Sequence, residues 1–189
     1  MTTPNDARSR SPHFSTFDLL LLGMLGALVV AANLALRLPI KMPGHSGLVW
    51  MALLVTARAI VPKLGAATTA GLMSGLLAAF AGLGDKGPLD TILSYTAAGV
   101  GVDIVAFLLG PPVRALPCVV AGLAGNLAKL GVKILLELWI GIPTGFLLVG
   151  RLYPTFTHVV FGLAGGYLGF LVVRALERAG FFAYLAEKR

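Results

Sequence analysis

Six runs of mostly apolar residues, each bounded by charge, proline or glycine, constrain what this 189-residue chain can fold into. A helix needs about 20 such residues to cross the hydrocarbon core of a bilayer. Soluble domains carry roughly 25% charged residues, whereas this chain has 12% charged and 57% hydrophobic residues and therefore needs lipid as its solvent. The runs predict an all-α integral membrane bundle of six transmembrane helices, over residues 17–36, 47–61, 64–83, 89–109, 115–140 and 152–174.

The second run is the shortest, and it leaves one alternative open. If residues 47–61 were a re-entrant segment, the chain would have five spans and its termini would lie on opposite sides of the membrane. The six-span prediction divides the chain into a disordered cytoplasmic tail (1–16), a membrane domain (17–178) and a cytoplasmic C-terminal tail (179–189). The first run lacks the cleavage site of a secretory signal peptide.

The distribution of positive charge predicts the orientation of the six spans. Cytoplasmic segments of membrane proteins carry an excess of Lys and Arg. With the N-terminus inside, the inner segments hold nine such residues and the outer segments four, which favours an N-in, C-in protein of the cell membrane. The net charge of +7 is thereby explained by topology and predicts no nucleic-acid partner. The four outer cations are Arg37, Lys41, Lys86 and Arg151.

Several function classes are excluded by the motifs that the sequence lacks. Cys118 is the only cysteine, so no disulfide forms within the chain. The sequence has no P-loop, no His-Glu-x-x-His, no Cys-x-x-Cys and no Gly-x-Ser-x-Gly motif. We therefore expect a protein that is not an enzyme, needs no cofactor and does not hydrolyse ATP itself.

Small residues recur every four positions on the first span, at Ala27, Ala31 and Ala35. We call these three residues the alanine stripe. A smooth helix face allows close approach of another helix in lipid, and that helix belongs either to this chain or to a separate docking subunit. Similar spacings at Gly71 and Gly75, and at Gly162, Gly166 and Gly169, predict internal packing.

Ionisable side chains inside the spans are costly and usually mark function. Lys129, Lys133 and Glu137 follow at intervals of four, and Asn126 precedes Lys133 by seven, so all four share one helix face. Span direction places most polar groups in the outer half of the bundle, which predicts a substrate pocket open to the outside. The predicted pocket residues are His45, Trp50, Asp90, Tyr95, Asn126, Lys129, Lys133, Glu137 and His158.

Structural roles for the same residues remain open at this point. Lys133 with Glu137 and Lys129 with Asp103 would neutralise each other as buried pairs. Asp90 would also suit the start of a helix, and His45 would equally serve as an exposed residue that caps the second helix. The histidines and carboxylates permit a metal site in composition, but no spacing specifies one, and no metal ligand is predicted.

The six short helices, the alanine stripe, the long outer loop after the first helix and the outer polar residues together resemble the S component of energy-coupling-factor (ECF) vitamin transporters. This resemblance implies that the stripe docks onto a transmembrane coupling subunit driven by two cytosolic ATPases, which agrees with the missing P-loop. It also implies that the first outer loop is a gate above the ligand.

Members of this family that carry nickel or cobalt begin with a metal-binding Met-His, whereas this chain begins Met1-Thr2-Thr3. The resemblance therefore favours a vitamin or vitamin precursor, with a metal ion as the alternative. In vitamin-binding members aromatic rings stack on the ligand, a role open here to Trp50, Tyr95, Trp139 and Tyr153.

The sequence thus predicts the substrate-capture subunit of an ATP-driven micronutrient transporter. The alternatives are a small stand-alone transporter or channel, a membrane enzyme that uses His45 and His158, and a purely structural subunit.

Overall fold

The computed structural model describes residues 13–35, 43–84 and 86–188, and all regular secondary structure in these ranges is helical. The all-α class is therefore confirmed for the described residues. The helices are α1 (Thr16–Ala35), α2 (Gly47–Ile60), α3 (Ala66–Phe80), α4 (Pro88–Leu109), α5 (Ala115–Trp139), α6 (Thr144–Arg178) and α7 (Phe181–Lys188).

Four of these helices are long and apolar enough to cross a membrane: α1, α4, α5 and the part of α6 from Val149 to Arg178. Helices α2 and α3 are equally apolar but have only 14 and 15 residues. Several apolar helices of this length are typical of a multi-pass membrane protein. The count of six spans and their orientation remain predictions.

Two boundaries differ from the sequence prediction. The last long helix begins at Thr144, so residues 144–151, predicted as an outer loop, form its first two turns. Pro154 lies inside α6 and removes only one backbone donor, and the apolar residues before it continue the helix. At the other end, the predicted C-terminal tail contains α7, whose Leu185 is buried in the core.

The helices form a bundle in which α3, α4, α5 and α6 pack in chain order. Helix α2 packs on α6, and α1 packs on α3 and α2. Glycines allow the closest crossings. A Cβ atom at Gly122 of α5 would lie 2.5 Å from the Gly162 carbonyl oxygen of α6, and one at Gly71 of α3 would lie 2.5 Å from the Tyr95 carbonyl oxygen of α4. The predicted internal packing at Gly71, Gly75, Gly162, Gly166 and Gly169 is thus confirmed.

Buried ion pairs hold the end of the bundle where α2 leads into α3, which we call the α2–α3 end. Arg58 Nε lies 3.1 Å from Asp103 Oδ1, and Asp103 also accepts hydrogen bonds from the backbone and hydroxyl of Thr68. Lys63 pairs with Asp18 at 2.9 Å. The pairing of Asp103 with Lys129 is wrong, because Lys129 contacts Ser46 at the other end of the 14-residue α2, about 21 Å away along the helix.

The alanine stripe faces away from the bundle. Ala27, Ala31 and Ala35 are all exposed, while α1 packs on its neighbours through residues on its other side. Packing of the stripe against the protein's own helices is therefore wrong. The residues of α1 that face its neighbours include Leu22, Gly26, Val29 and Val30.

Parts of the predicted tail and gate lie outside the described residues. These are residues 1–12 of the N-terminal tail, residues 36–42 of the first long loop with Arg37 and Lys41, and residues 85 and 189.

Candidate functional site: a polar cavity at one end of the bundle

A cavity of about 600 Å³ lies at the end of the bundle opposite the α2–α3 end. Binding sites for small molecules usually have volumes of about 300–1,000 Å³. The wall of this cavity combines the loop before α2, the α3–α4 turn and the facing ends of α1, α4, α5 and α6. Six of the predicted pocket residues line it, namely His45, Asp90, Tyr95, Lys129, Lys133 and His158.

The ammonium group of Lys129 is a buried positive charge in the wall of this cavity. Its Nζ donates a hydrogen bond to Ser46 Oγ at 3.2 Å and lies 4.0 Å from the centre of the Trp50 ring, a cation–π contact. The Trp50 ring also meets the ring of Tyr95, whose hydroxyl accepts a hydrogen bond from Asn33 Nδ2 at 2.9 Å. Residues from α1, α2, α4 and α5 are joined in this way around the ammonium group.

His158 is held by contacts with its own helix and with α5. Its Nδ1 donates to the Pro154 carbonyl at 2.8 Å, which leaves Nε2 as the acceptor of the neutral ring. The buried Asn126 donates through Nδ2 to the His158 carbonyl oxygen, also at 2.8 Å. Asn126 does not line the cavity but fixes the turn of α6 that presents His158 to it.

Asp90 is buried in the cavity wall and lies in the first turn of α4. It accepts a hydrogen bond from Ser94 Oγ at 3.4 Å, and the start of α4 at Gly87 has no side-chain cap. His45 likewise lines the cavity, and the N-cap of α2, Ser46, has no side-chain cap. The N-cap residues of α2 and α4 make no side-chain cap, whereas the place of Asp90 in the first turn of α4 agrees with the helix-start alternative.

Glu137 is buried near the cavity rim and pairs with two cations that come from other parts of the chain. Lys86 of the α3–α4 turn contacts its Oε1, and Arg151 of α6 donates through Nε to its Oε2 at 3.1 Å. Sequence spacing had pointed only to Lys133 as a partner. This cluster joins the α3–α4 turn, α5 and α6 beside the cavity.

The structure also places residues in the cavity wall that the sequence prediction missed. Lys86 and Arg151 had been assigned to outer loops, and their charge was the available signal, because buried Glu137 needs a cation. Asn33 is the only amide in the first apolar run, which was another signal. Conversely, Trp139 and Tyr153 are 79% and 56% exposed and do not line the cavity. The missed lining residues with polar side chains are Asn33, Ser46, Lys86, Thr91, Ser94 and Arg151.

Within the described ranges, no three His, Cys, Asp or Glu side chains come close enough together to hold a metal ion. The donors that do meet in the cavity are ammonium, guanidinium, hydroxyl, amide and imidazole groups. Groups of this kind are able to bind a small molecule by hydrogen bonds and charge.

Comparison with known proteins gives one informative similarity. No protein-family model and no curated protein matches the sequence. Among solved structures, the chain is similar to a crystal structure of an S component of an ECF transporter, with a TM-score of 0.65 and 16% sequence identity, over 90% of this chain and 89% of that one. The chain has the fold of an ECF-transporter S component.

Proposed function

We propose that this protein captures a vitamin or vitamin precursor at the cell membrane and passes it to an ATP-driven partner, without changing the substrate covalently. The observation that carries the proposal is the polar cavity of about 600 Å³ at one end of a bundle with the S-component fold. An apolar bundle in lipid places charged residues at such a cavity only at a considerable cost in free energy, so their presence favours a function.

In this proposal the cavity opens to the outside of the cell. The excess of Lys and Arg in the loops at the α2–α3 end supports an N-in, C-in arrangement, which puts the opposite end outside. The loop before α2 then lies on the outer side and serves as the gate. Gly44 and His45 at the described end of this loop lie against His158 and the cavity, respectively.

We assign two kinds of role to the site residues. His45, Asp90, Tyr95, Lys129, Lys133 and His158 line the cavity and contact the substrate. Trp50, Asn126 and Glu137 are positioning residues: Trp50 supports Lys129, Asn126 supports the turn that carries His158, and Glu137 orders Lys86 and Arg151.

The alanine stripe is the proposed docking surface for a transmembrane coupling subunit, which in turn binds two cytosolic ATPases. Its three alanines are exposed to the membrane side of α1, where a partner helix can approach the backbone closely. Energy from ATP has to come from such a partner, because this chain has no P-loop.

Co-purification from native membranes tests this function. A tag on the C-terminus should recover a membrane subunit together with ATPases. Ala31→Trp places a large side chain on the docking surface and should reduce the recovered ATPase at least tenfold, a loss of about 1.4 kcal/mol of docking free energy.

The matched control is Ala175→Trp, which adds the same bulk at an exposed alanine of α6. The control should recover ATPase as the unmodified protein does. Recovery of a stable homo-oligomer without any ATPase would contradict the proposal and favour a stand-alone transporter or channel.

A further inference from the structure

We infer that a groove between α5 and α6, beside the cavity, binds a membrane phospholipid with its phosphate at Arg151 and one acyl chain along the groove. This site lies on the outer surface of the bundle and does not depend on the substrate of the cavity. The inference follows from the shape of the groove, from its level in the membrane and from unused hydrogen-bond donors beside it.

The α5–α6 groove has a volume of about 610 Å³ and a mostly apolar wall. Ile134 and Leu138 of α5 form one side of it. The other side is formed by α6 between Thr144 and Phe156, which are about 18 Å apart along the helix. Phe156 is 66% exposed, so the groove opens on the surface of the bundle.

Close packing of α5 on α6 lies further from the cavity. A Cβ atom at Gly166 of α6 would lie 2.4 Å from the Cys118 carbonyl oxygen of α5, whereas one at Gly145 would have no described atom within 4 Å. The two helices thus lack a close backbone contact at Gly145, next to the groove. The space between their side chains is open to the bilayer there.

The charges of α6 put Arg151 at the level of the lipid headgroups. Residues 152–173, between Arg151 and Arg174, include no Asp, Glu, Lys or Arg. This stretch is about 33 Å long as a helix, which matches a hydrocarbon core of about 30 Å. Trp139 at the end of α5 and Tyr153 of α6 are exposed at the same level, as is typical of aromatic residues at a membrane interface.

Arg151 has hydrogen-bond donors left for a phosphate group. It lines both the cavity and the α5–α6 groove, and its side chain is 24% exposed. Its Nε and Nη2 donate to Glu137, and its Nη1 has no hydrogen-bond partner in the described part of the chain. Guanidinium groups bind phosphate oxygens through such donors.

The cation and the apolar wall together fit a phospholipid. From Arg151 the groove continues past Leu152 and Thr155 to Phe156, towards the middle of the bilayer. A lipid whose phosphate lies at Arg151 therefore has its acyl chain at the depth of these residues. A free anion would leave the apolar part of the groove empty, and a hydrocarbon without a phosphate would leave the donors of Arg151 unused.

The test uses the full chain in nanodiscs with two photoreactive lipids that carry the same diazirine-bearing acyl chain. One is a phosphatidylglycerol and the other is a diacylglycerol. After irradiation, mass spectrometry of peptides locates the labelled residues. Because the diacylglycerol lacks a phosphate, the pair separates binding at Arg151 from filling of the groove by a hydrocarbon chain.

We expect the phosphatidylglycerol to label the groove about tenfold more than the diacylglycerol does. Arg151→Gln should remove this difference by lowering the labelling with phosphatidylglycerol. The matched control is Arg174→Gln, which removes another arginine of α6 that pairs with a glutamate, Glu177, and it should leave labelling of the groove unchanged.

A second variant tests the groove without altering the ion pair between Arg151 and Glu137. Thr155→Trp fills the groove and should reduce its labelling by both lipids. Val160→Trp adds the same ring at an exposed position of α6 outside the groove and should not reduce it. This pair decides the question even if Arg151→Gln does not fold.

Labelling spread evenly over the exposed residues of α5 and α6 would overturn the inference, because it would show bulk lipid only. Equal labelling of the groove by the two lipids in the unmodified protein, or labelling unchanged by Thr155→Trp, would overturn it as well. None of these results bears on the function proposed for the cavity.

Discussion

Gly44, in the loop before α2, shows how a single residue affects the shape of the polar cavity. Its φ angle of +79° lies in the left-handed region, and a Cβ atom there would lie 2.8 Å from Nδ1 of His158. The absence of a side chain thus permits both the turn of the loop and its close contact with α6. Both requirements arise at the point where the proposed gate meets the cavity.

Gly44→Ala should therefore destabilise the protein through two separable effects. A left-handed conformation costs an L-residue about 1–2 kcal/mol, and the new Cβ would also displace His158. Gly141→Ala is the control for the first effect, because its φ is +88° and nothing lies within 4 Å of the added atom. Gly131→Ala, inside α5 and equally open, should be stabilising by up to about 1 kcal/mol.

Thermal unfolding in nanodiscs should rank the three variants in that order, with Gly44→Ala the least stable. Only Gly44→Ala should also weaken substrate binding. Equal losses of stability for Gly44→Ala and Gly141→Ala would show that the contact with His158 carries no energy.

At this scale the sequence predicted which residue types meet, but not all of their partners. Intervals of four placed Lys129, Lys133 and Glu137 on one face of α5, because helix geometry is local. The partners Lys86, Arg151 and Ser46 come from other elements, and their contacts depend on tertiary packing that spacing within one helix does not contain.

Among the helices, the buried pair of Arg58 and Asp103 joins α2, α3 and α4 at the α2–α3 end. Asp103 also accepts hydrogen bonds from the first turn of α3, where the backbone donors have no partner inside the helix. Gly65, the N-cap of α3, has no side-chain cap, so Asp103 supplies this function from another helix.

Asp103→Ala should lower the free energy of unfolding by about 3–5 kcal/mol, because it leaves a buried guanidinium without its counter-charge. The double variant Asp103→Ala with Arg58→Leu should recover part of this loss. Unfolding in mixed detergent micelles measures both. No recovery in the double variant would mean that the hydrogen bonds to α3, rather than the ion pair, stabilise this end.

The helices themselves were largely predictable, because apolar runs flanked by glycine and proline indicate where each helix begins and ends. The start of α6 was not. Gly141, Pro143 and Pro154 are typical of a loop, but the apolar residues between them continue the helix past Pro154. This extension moves Arg151 from a loop into the cavity wall, and it explains why the sequence prediction missed that residue.

The whole molecule separates three surfaces that the proposed function requires. The exposed alanine stripe lies along α1, the charged cavity lies at one end, and most of the remaining helix surface exposes large apolar side chains. The sequence predicted the cavity end from alternating span direction. The spacing of the alanines left the direction of the stripe open, because small residues suit both internal and external helix contacts, whereas the family resemblance implied an outward-facing docking surface.

The most direct test of this account is native mass spectrometry of the purified chain. The cavity predicts one retained small molecule per chain. Ser94→Phe fills the wall beside Asp90 and should abolish retention, whereas Thr96→Phe, on the same helix but outside the lining, should preserve it. A chain that retains no molecule, or a Ser94→Phe variant that folds and retains it fully, would contradict the cavity as the substrate site.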